Sequence, residues 1–238
     1  MERFVFLKIF NKVIRKFNKI RFAPIEVFVF HAVSDVYDPE RNFRMDWMST
    51  DDFCRTVRTM KEKYQFISLP EAHGKLKKDL LRRKRYAVLT CDDGFASALS
   101  ILPFLEQERV PITLFINPIC LEGNYFREDY KSHPEHLYIT AEELRQLDSP
   151  WITIGMHGWE HNDVTKMTTR EFSDSVEKCV KALAGHPRYI PFYAYTWGRF
   201  RAENQQVLKE REVVPVFCDG MGNYEFRNGI SRKELLQF

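Results

Sequence analysis

Two adjacent carboxylates, Asp92 and Asp93, close the apolar run Tyr86-Ala-Val-Leu-Thr-Cys91 and are followed by Gly94. Alternation along a strand sends neighbouring side chains to opposite faces, so both acids cannot stay on one face of a regular strand. Gly94 lets the chain leave by a turn closed to other residues. Two ionised carboxylates at a dry strand end repel each other, and a cation is the usual means of satisfying them. Further along, Trp151-Ile-Thr-Ile-Gly-Met156 reads as a second strand that runs into His157-Gly-Trp-Glu-His161. Two imidazoles four residues apart, with one carboxylate from another strand end, form a two-His, one-carboxylate set. Such a set suits zinc and other divalent ions and leaves positions open for water and substrate. The spare Asp is then placed to act as a base.

Each pattern alone has a plainer reading. Asp-Asp-Gly also serves as a simple turn, and a His-x-x-x-His pair also occurs as histidines satisfied inside a core. His157-Gly-Trp-Glu-His161 further matches H-x-x-E-H, a zinc-protease pattern with Glu160 as base. That pattern needs an established helix to put both imidazoles on one face. Here Gly158 follows the first histidine and an apolar strand precedes it, so a strand-to-loop setting fits better.

The elements that must position these residues alternate. Ile25 to Phe30 is a β-rich run that delivers His31 at its end, and Ser49/Thr50-Asp-Asp caps a helix to about Lys63. A short strand at Gln65 and a basic helical segment to Leu80 come before the strand to Cys91. Ser97 to Glu108 reads as a helix despite Pro103, and Pro111 to Ile116 as a strand. Leu121 to Ile139, with His133 and His136, has no clean period and reads as a long loop of the kind that often carries function. Thr140-Ala-Glu-Glu is a capping box, and Thr168/Thr169-Arg-Glu opens a helix to Ala184. Strands at Tyr189–Tyr195 and Val213–Cys218 flank a helix at Glu203–Glu210, and Ser231-Arg-Lys-Glu-Leu-Leu reads as a closing helix. This alternation predicts one α/β domain with a mainly parallel, closed or nearly closed sheet. In such barrels active-site residues sit where strands end, as Asp92, Asp93, His157, His161 and His31 all do.

Composition adds boundaries. The chain has 238 residues, 44% of them hydrophobic, and a net charge of +3, which does not indicate nucleic acid. Five cysteines without a C-x-x-C pair argue against a disulfide framework. Residues 1–22 form a basic amphipathic segment, with Phe4, Leu7, Phe10, Ile14 and Phe17 at helical spacing, ahead of a domain over 23–238. The segment is too charged to span a bilayer and lacks the form of a secretion signal. It reads as a flank helix or as a peripheral contact with anionic membrane. The localisation expected is cytoplasmic, including the inner membrane surface.

In order along the chain, F-H-A-V-S-D (30–35), L-T-C-D-D-G (89–94), H-G-W-E-H (157–161) and Y-A-Y-T-W-G (193–198) resemble the NodB-homology polysaccharide deacetylases, carbohydrate esterase family four. The resemblance covers about Val27 to Ile230. It implies a distorted (β/α) barrel of about seven strands, a divalent metal, most often zinc, and hydrolysis of N-acetyl groups from an amino sugar or polysaccharide in surface-glycan synthesis. By position it makes Asp93, His157 and His161 the metal ligands and Asp92 the base. It places the oxyanion-binding backbone N–H at Trp197, with His31, Tyr195 and Trp197 as substrate contacts. The chain also departs from the family pattern. The arginine that orients the base falls on Ala194, the motif proline falls on Thr196, and the late histidine that protonates the leaving amine has no match. A catalytically degenerate glycan-binding or assembly protein is the alternative those departures raise.

Overall fold

The computed structural model describes residues 25–36, 47–77, 84–123, 137–218 and 230–235. In chain order its elements are β1 (Ile25–Phe30), β2 (Ala32–Val33), β3 (Trp47–Met48), α1 (Thr50–Lys63), β4 (Gln65–Phe66), α2 (Leu69–Lys77) and β5 (Tyr86–Cys91). Then follow α3 (Leu102–Gln107), β6 (Ile112–Ile116), α4 (Ala141–Gln146), β7 (Ile152–Met156), α5 (Thr169–Leu183), β8 (Tyr189–Ala194), α6 (Ala202–Glu210), β9 (Val214–Cys218) and β10 (Ile230–Glu234).

All pairings in the main sheet are parallel. The order runs β1-β10-β9-β8-β7-β6-β5, and β5 pairs back onto β1, so seven strands close a barrel. β4 adds a short pairing to the start of β5, below β6. Closure explains the sequence pattern: strands covered on both faces read as continuous apolar runs rather than alternating ones. Inside the barrel, Ile25, Val27, Val88, Phe115, Phe192, Ala194, Val216 and Ile230 pack together. Ile67, Leu69 and Ala72, at and just before the start of α2, join this cluster and plug the barrel at the N-terminal ends of its strands. The opposite parity of each strand packs outward against α1 (Phe53, Val57, Met60) and α5 (Phe172, Val176, Cys179, Leu183). With one end plugged, the open mouth is the end where Asp92 and His157 emerge.

The capping signals hold: Ser49 caps α1, and Thr140 and Thr168 open α4 and α5 with complete capping boxes. Two elements differ from the sequence reading. Ala96–Ile101 is a 3-10 turn, and α3 begins only at Leu102, with Pro103 in its first turn where its missing N–H costs nothing. Residues 231–234 are not a helix but belong to β10, which pairs with β9 (Ile230↔Val216) and β1 (Phe28↔Lys233). Closing the sheet outweighs the helical propensity of Lys-Glu-Leu-Leu, since an unclosed barrel would leave two edges exposed. The segment 1–22, and His133 and His136 within the long loop, lie outside the described residues.

At Gly155 the interior leaves no room for a side chain. A Cβ there would stand 2.5 Å from the Phe115 ring and 3.2 Å from the Phe192 carbonyl oxygen. Gly155→Ala is therefore expected to destabilise the barrel by about 1–3 kcal/mol, the usual range for overpacking. Urea unfolding measures this, and an unchanged midpoint would show that the interior has slack the packing does not reveal.

Candidate metal and base site

β5 ends at Cys91, and the backbone of the next residues turns sharply. Asp93 and Gly94 are both left-handed, with φ of 69° and 68°. Gly94 is confined twice over, because a Cβ would also meet Ile116 Cδ1 at 3.0 Å. The turn leaves Asp92 and Asp93 both buried at the barrel mouth, 2% and 4% exposed. β7 delivers His157 to the same place. The following loop turns through left-handed Gly158 (φ 79°) and left-handed His161 (φ 58°), bringing the second imidazole back. Residues 157–161 are not helical, which removes the H-x-x-E-H protease reading. Glu160 instead accepts a hydrogen bond from Asn162 at the surface.

This loop is held from three sides. Asn117, just past β6, donates its amide to the carbonyls of His157 and Gly158. Ser175 on α5 accepts the Trp159 N–H at 3.2 Å. Thr196, after β8, donates to the Asn162 carbonyl, and Arg199 pairs with Asp163 at 2.9 Å.

Asp93 Oδ1 lies 3.1 Å from Nε2 of both His157 and His161. All three donor atoms fall within 4.8 Å of one another, and all three residues are buried. His157 Nδ1 is 2.9 Å from the Ala194 carbonyl oxygen, an acceptor only, so Nδ1 carries the proton. In the neutral ring Nε2 then presents a lone pair to the Asp93 carboxylate. Such a convergence of lone pairs fits a cation, with the Ala194 carbonyl fixing the tautomer as outer partners of metal-binding histidines do. The electrostatics favour a positive charge, proton or cation, among these groups. Burial alone would raise the Asp93 pKa, but His161 and His157 hold it well below the usual carboxylate range. Burial would lower the His157 pKa, but Asp92 and Asp93 together raise it.

Asp92 takes a different partner, one that no sequence motif indicated. Arg232 of β10 lies fully inside the barrel at 1% exposure. Its guanidinium forks onto Asp92, with Nη1 to Oδ1 at 2.6 Å and Nη2 to Oδ2 at 2.7 Å. It also donates to Thr90 Oγ1 at 3.1 Å and the Phe217 carbonyl at 3.3 Å, and sits 5.3 Å above the Phe115 ring. Burial would push the Asp92 pKa up, but chiefly the Arg232 charge pulls it below its ordinary value. Ala194, where the family pattern has its arginine, is a small interior residue (0% exposed) on β8, and β9 stands between β8 and β10. The guanidinium therefore enters the same interior from a different strand. Arg188 and Arg199, which lie near Ala194 in sequence, pair with Asp148 and Asp163 instead. The only signal available in the sequence was an arginine in a run long enough to be a strand, and helix propensity masked it.

His31 follows β1 directly and is half-buried beside the same carboxylate. The Asp92 N–H donates to the Phe30 carbonyl at 3.1 Å, and the His31 charge adds to the lowering of the Asp92 pKa. Trp197 is 56% exposed, left-handed (φ 58°), and stands edge-on to His161 with ring centroids 5.0 Å apart. Tyr195 requires correction as a substrate contact. It is 1% exposed, and its ring stacks with Phe172, Phe200 and Phe217 in the outer layer. Parity is the reason: Ala194 and Thr196 take the interior positions, so Tyr193 and Tyr195 face the helices.

The closed parallel barrel thus gathers a buried Asp–Asp–His–His group at the strand ends where barrel enzymes carry their active sites. A family model described as polysaccharide deacetylase matches residues 81–216, more than half of the chain. The chain belongs to that family, whose members are hydrolases acting on the carbon–nitrogen bond of N-acetyl groups. Solved structures share the fold. The Streptococcus pyogenes deacetylase PplD in complex with acetate is 19% identical, with 88% of this chain and 90% of that chain covered at a TM-score of 0.71. IcaB from Ammonifex degensii is 15% identical, with 90% and 92% covered at 0.72. A de-N-acetylase from Aggregatibacter actinomycetemcomitans is 15% identical, with 89% and 95% covered at 0.69. No curated protein matches by sequence. His31 and Arg232 both lie outside the residues that the family model matches.

Removing the guanidinium leaves a buried charge without its partner. Arg232→Met is expected to cost about 3–5 kcal/mol, with part of that recovered in the Arg232→Met/Asp92→Asn double variant. The sign with pH follows from the depressed Asp92 pKa. The pair's contribution is complete above 3.8, the unperturbed value, and fades as pH falls through the lower folded-state value. Wild type and Arg232→Met should therefore converge in stability towards acid. Urea melts across pH test this, and a constant gap would mean the arginine acts through packing alone.

Proposed function

We propose that the protein is a divalent-metal-dependent deacetylase that removes N-acetyl groups from an amino sugar or polysaccharide. The observation that carries this reading is the Arg232–Asp92 fork beside the Asp93–His157–His161 cluster. A protein that only binds glycan has no need of a buried, oriented carboxylate held ionised next to a metal-type donor set. The arginine on β10 compensates for Ala194, so the chief departure from the family pattern no longer argues for a degenerate relative.

In this reading Asp93, His157 and His161 hold the ion, zinc being the best match to their donor atoms. When bound it would supply Lewis-acid polarisation of the acetamide carbonyl and acidify a water. Asp92 lies with Oδ2 3.8 Å from His157 Nε2, adjacent to the cluster but engaged by Arg232. Each carboxylate oxygen keeps a lone pair beyond its arginine bond, so the group can take a proton from water while its orientation is fixed. The backbone N–H of Trp197 serves the developing oxyanion, and its exposed indole offers a flat apolar face to a sugar ring. His31 donates the proton to the leaving amine. Of the other described histidines, His73 packs against Phe192 and His186 is bound to the Leu144 carbonyl.

Metal content and acetate release from an N-acetylglucosamine oligomer panel test the whole assignment. Asp92→Asn is expected to keep stoichiometric metal and lose acetate release by at least about 10²-fold. Metal retained with no acetate from any wild-type substrate would instead favour the binding protein, and no metal would remove the site.

The histidine's role separates by leaving group. An aryl acetate expels a stable phenolate and needs no acid, whereas an acetamide does. His31→Gln should cut amide turnover about 10²-fold while largely sparing the aryl ester, and Asp92→Asn should impair both. Equal loss on the two substrates in His31→Gln would assign His31 to binding.

A further inference from the structure

Two loops at the mouth run side by side and are tied to each other along their length. One, residues 157–163, follows β7 and carries both histidines; the other, residues 194–199, ends β8 and carries Trp197. His157 Nδ1 lies 2.9 Å from the Ala194 carbonyl oxygen, and His161 stands edge-on to the Trp197 ring. Thr196 Oγ1 donates to the Asn162 carbonyl, and Arg199 pairs with Asp163. Every one of these ties joins the histidine loop to the loop that offers the oxyanion donor.

The ties are not equivalent. The Arg199 side chain is 63% exposed, and an ion pair so open to water adds little. Thr196 is fully buried, so its hydroxyl has no water to fall back on if the bond to Asn162 is lost. On either side of that bond the backbone is held where few residues go. His161, directly before Asn162, has φ 58°, and Trp197, directly after Thr196, also has φ 58°. Left-handed conformations at such residues persist only where their surroundings enforce them. One buried hydroxyl therefore stands next to two strained residues, a candidate ligand and the owner of the oxyanion N–H.

We infer that Thr196 is a positioning residue for both loops. Its hydroxyl fixes the Asn162 carbonyl, and with it His161, while its backbone sets the direction of the Trp197 N–H. The two halves of the role separate chemically. Fixing Asn162 needs a side-chain donor, whereas setting Trp197 needs only a restrained backbone at position 196. The Thr196 N–H makes no hydrogen bond among the described residues. Tyr195, before it, is extended with ψ 128°, the conformation favoured ahead of proline. Thr196→Pro would thus fit and restrain the backbone but leave the Asn162 carbonyl without its donor. The Trp197 half rests on the deacetylase reading, and the His161 half rests on the donor geometry.

The test pairs zinc affinity, measured by competition with a chromophoric chelator, with acetate release from an N-acetylglucosamine oligomer. Thr196→Val keeps the side-chain shape and removes the hydroxyl. It is expected to weaken zinc binding about tenfold or more and to lower kcat about 10²-fold with KM little changed. Thr196→Ser should keep both near wild type. Thr196→Pro should recover most of kcat at saturating zinc while its zinc affinity stays weakened. A merely structural residue would not give that split, because general loosening moves both readouts and the melting temperature together. Wild-type zinc affinity in Thr196→Val would overturn the tie to His161. Zinc affinity and kcat both lost or both kept in Thr196→Pro would overturn the division of roles. Wild type that binds zinc but releases no acetate would remove the deacetylase reading, and the variants' zinc affinities would still decide the tie to His161.

Discussion

The barrel is arranged around one buried ion pair. A guanidinium and a carboxylate removed from water are each expensive, and the cost is offset only when the geometry is good and the remaining donors are satisfied. Arg232 meets both conditions: two parallel bonds to Asp92, further donation to Thr90 and Phe217, and an aromatic face at Phe115. Fork-to-fork pairing of this kind fixes the direction of the carboxylate as well as its charge. Because the arginine belongs to β10, the orientation of the candidate base depends on the strand that closes the barrel.

Around that pair the backbone is held in conformations that few residues adopt. Asp93, His161 and Trp197 are left-handed, and each lies in or beside a turn that also carries a left-handed glycine: Gly94, Gly158 and Gly198. Positions of this sort cost on the order of 1–3 kcal/mol each and persist only where the surroundings over-determine them. Here the restraints are the Asn117, Ser175 and Thr196 bonds to the histidine loop and the closure of three strands behind it. The result is a convergent set of carboxylate and imidazole atoms whose approach the framework enforces.

The two ends of the barrel then differ in kind. The mouth gathers buried carboxylates, imidazoles and an exposed indole. The plugged end is closed by Ile67, Leu69 and Ala72 against the interior apolar cluster. A fold whose strands all run the same way separates the two by one strand length, so a contact at one end leaves the other accessible.

Much of this was legible in the sequence, and the reasons are local. Buried strands announce themselves as short apolar runs, capping boxes at Thr140 and Thr168 mark helix starts, and Asp92-Asp93-Gly94 and His157 to His161 carry their chemistry in residue type and spacing. The alternation of elements was enough to indicate a parallel barrel and to put those residues at its strand ends. Tyr195 was misplaced because one step along a strand reverses the face, and only the register settles which parity points inward. Arg232 stayed hidden because it lies 140 residues from Asp92, in a run whose own preference is helical. Sequence by itself therefore determined which groups were available and which strand ends would carry them. The arginine partner of Asp92 and the histidine beside it were decided by tertiary structure, since strand adjacency in a closed barrel follows from packing across the whole chain and not from any local pattern.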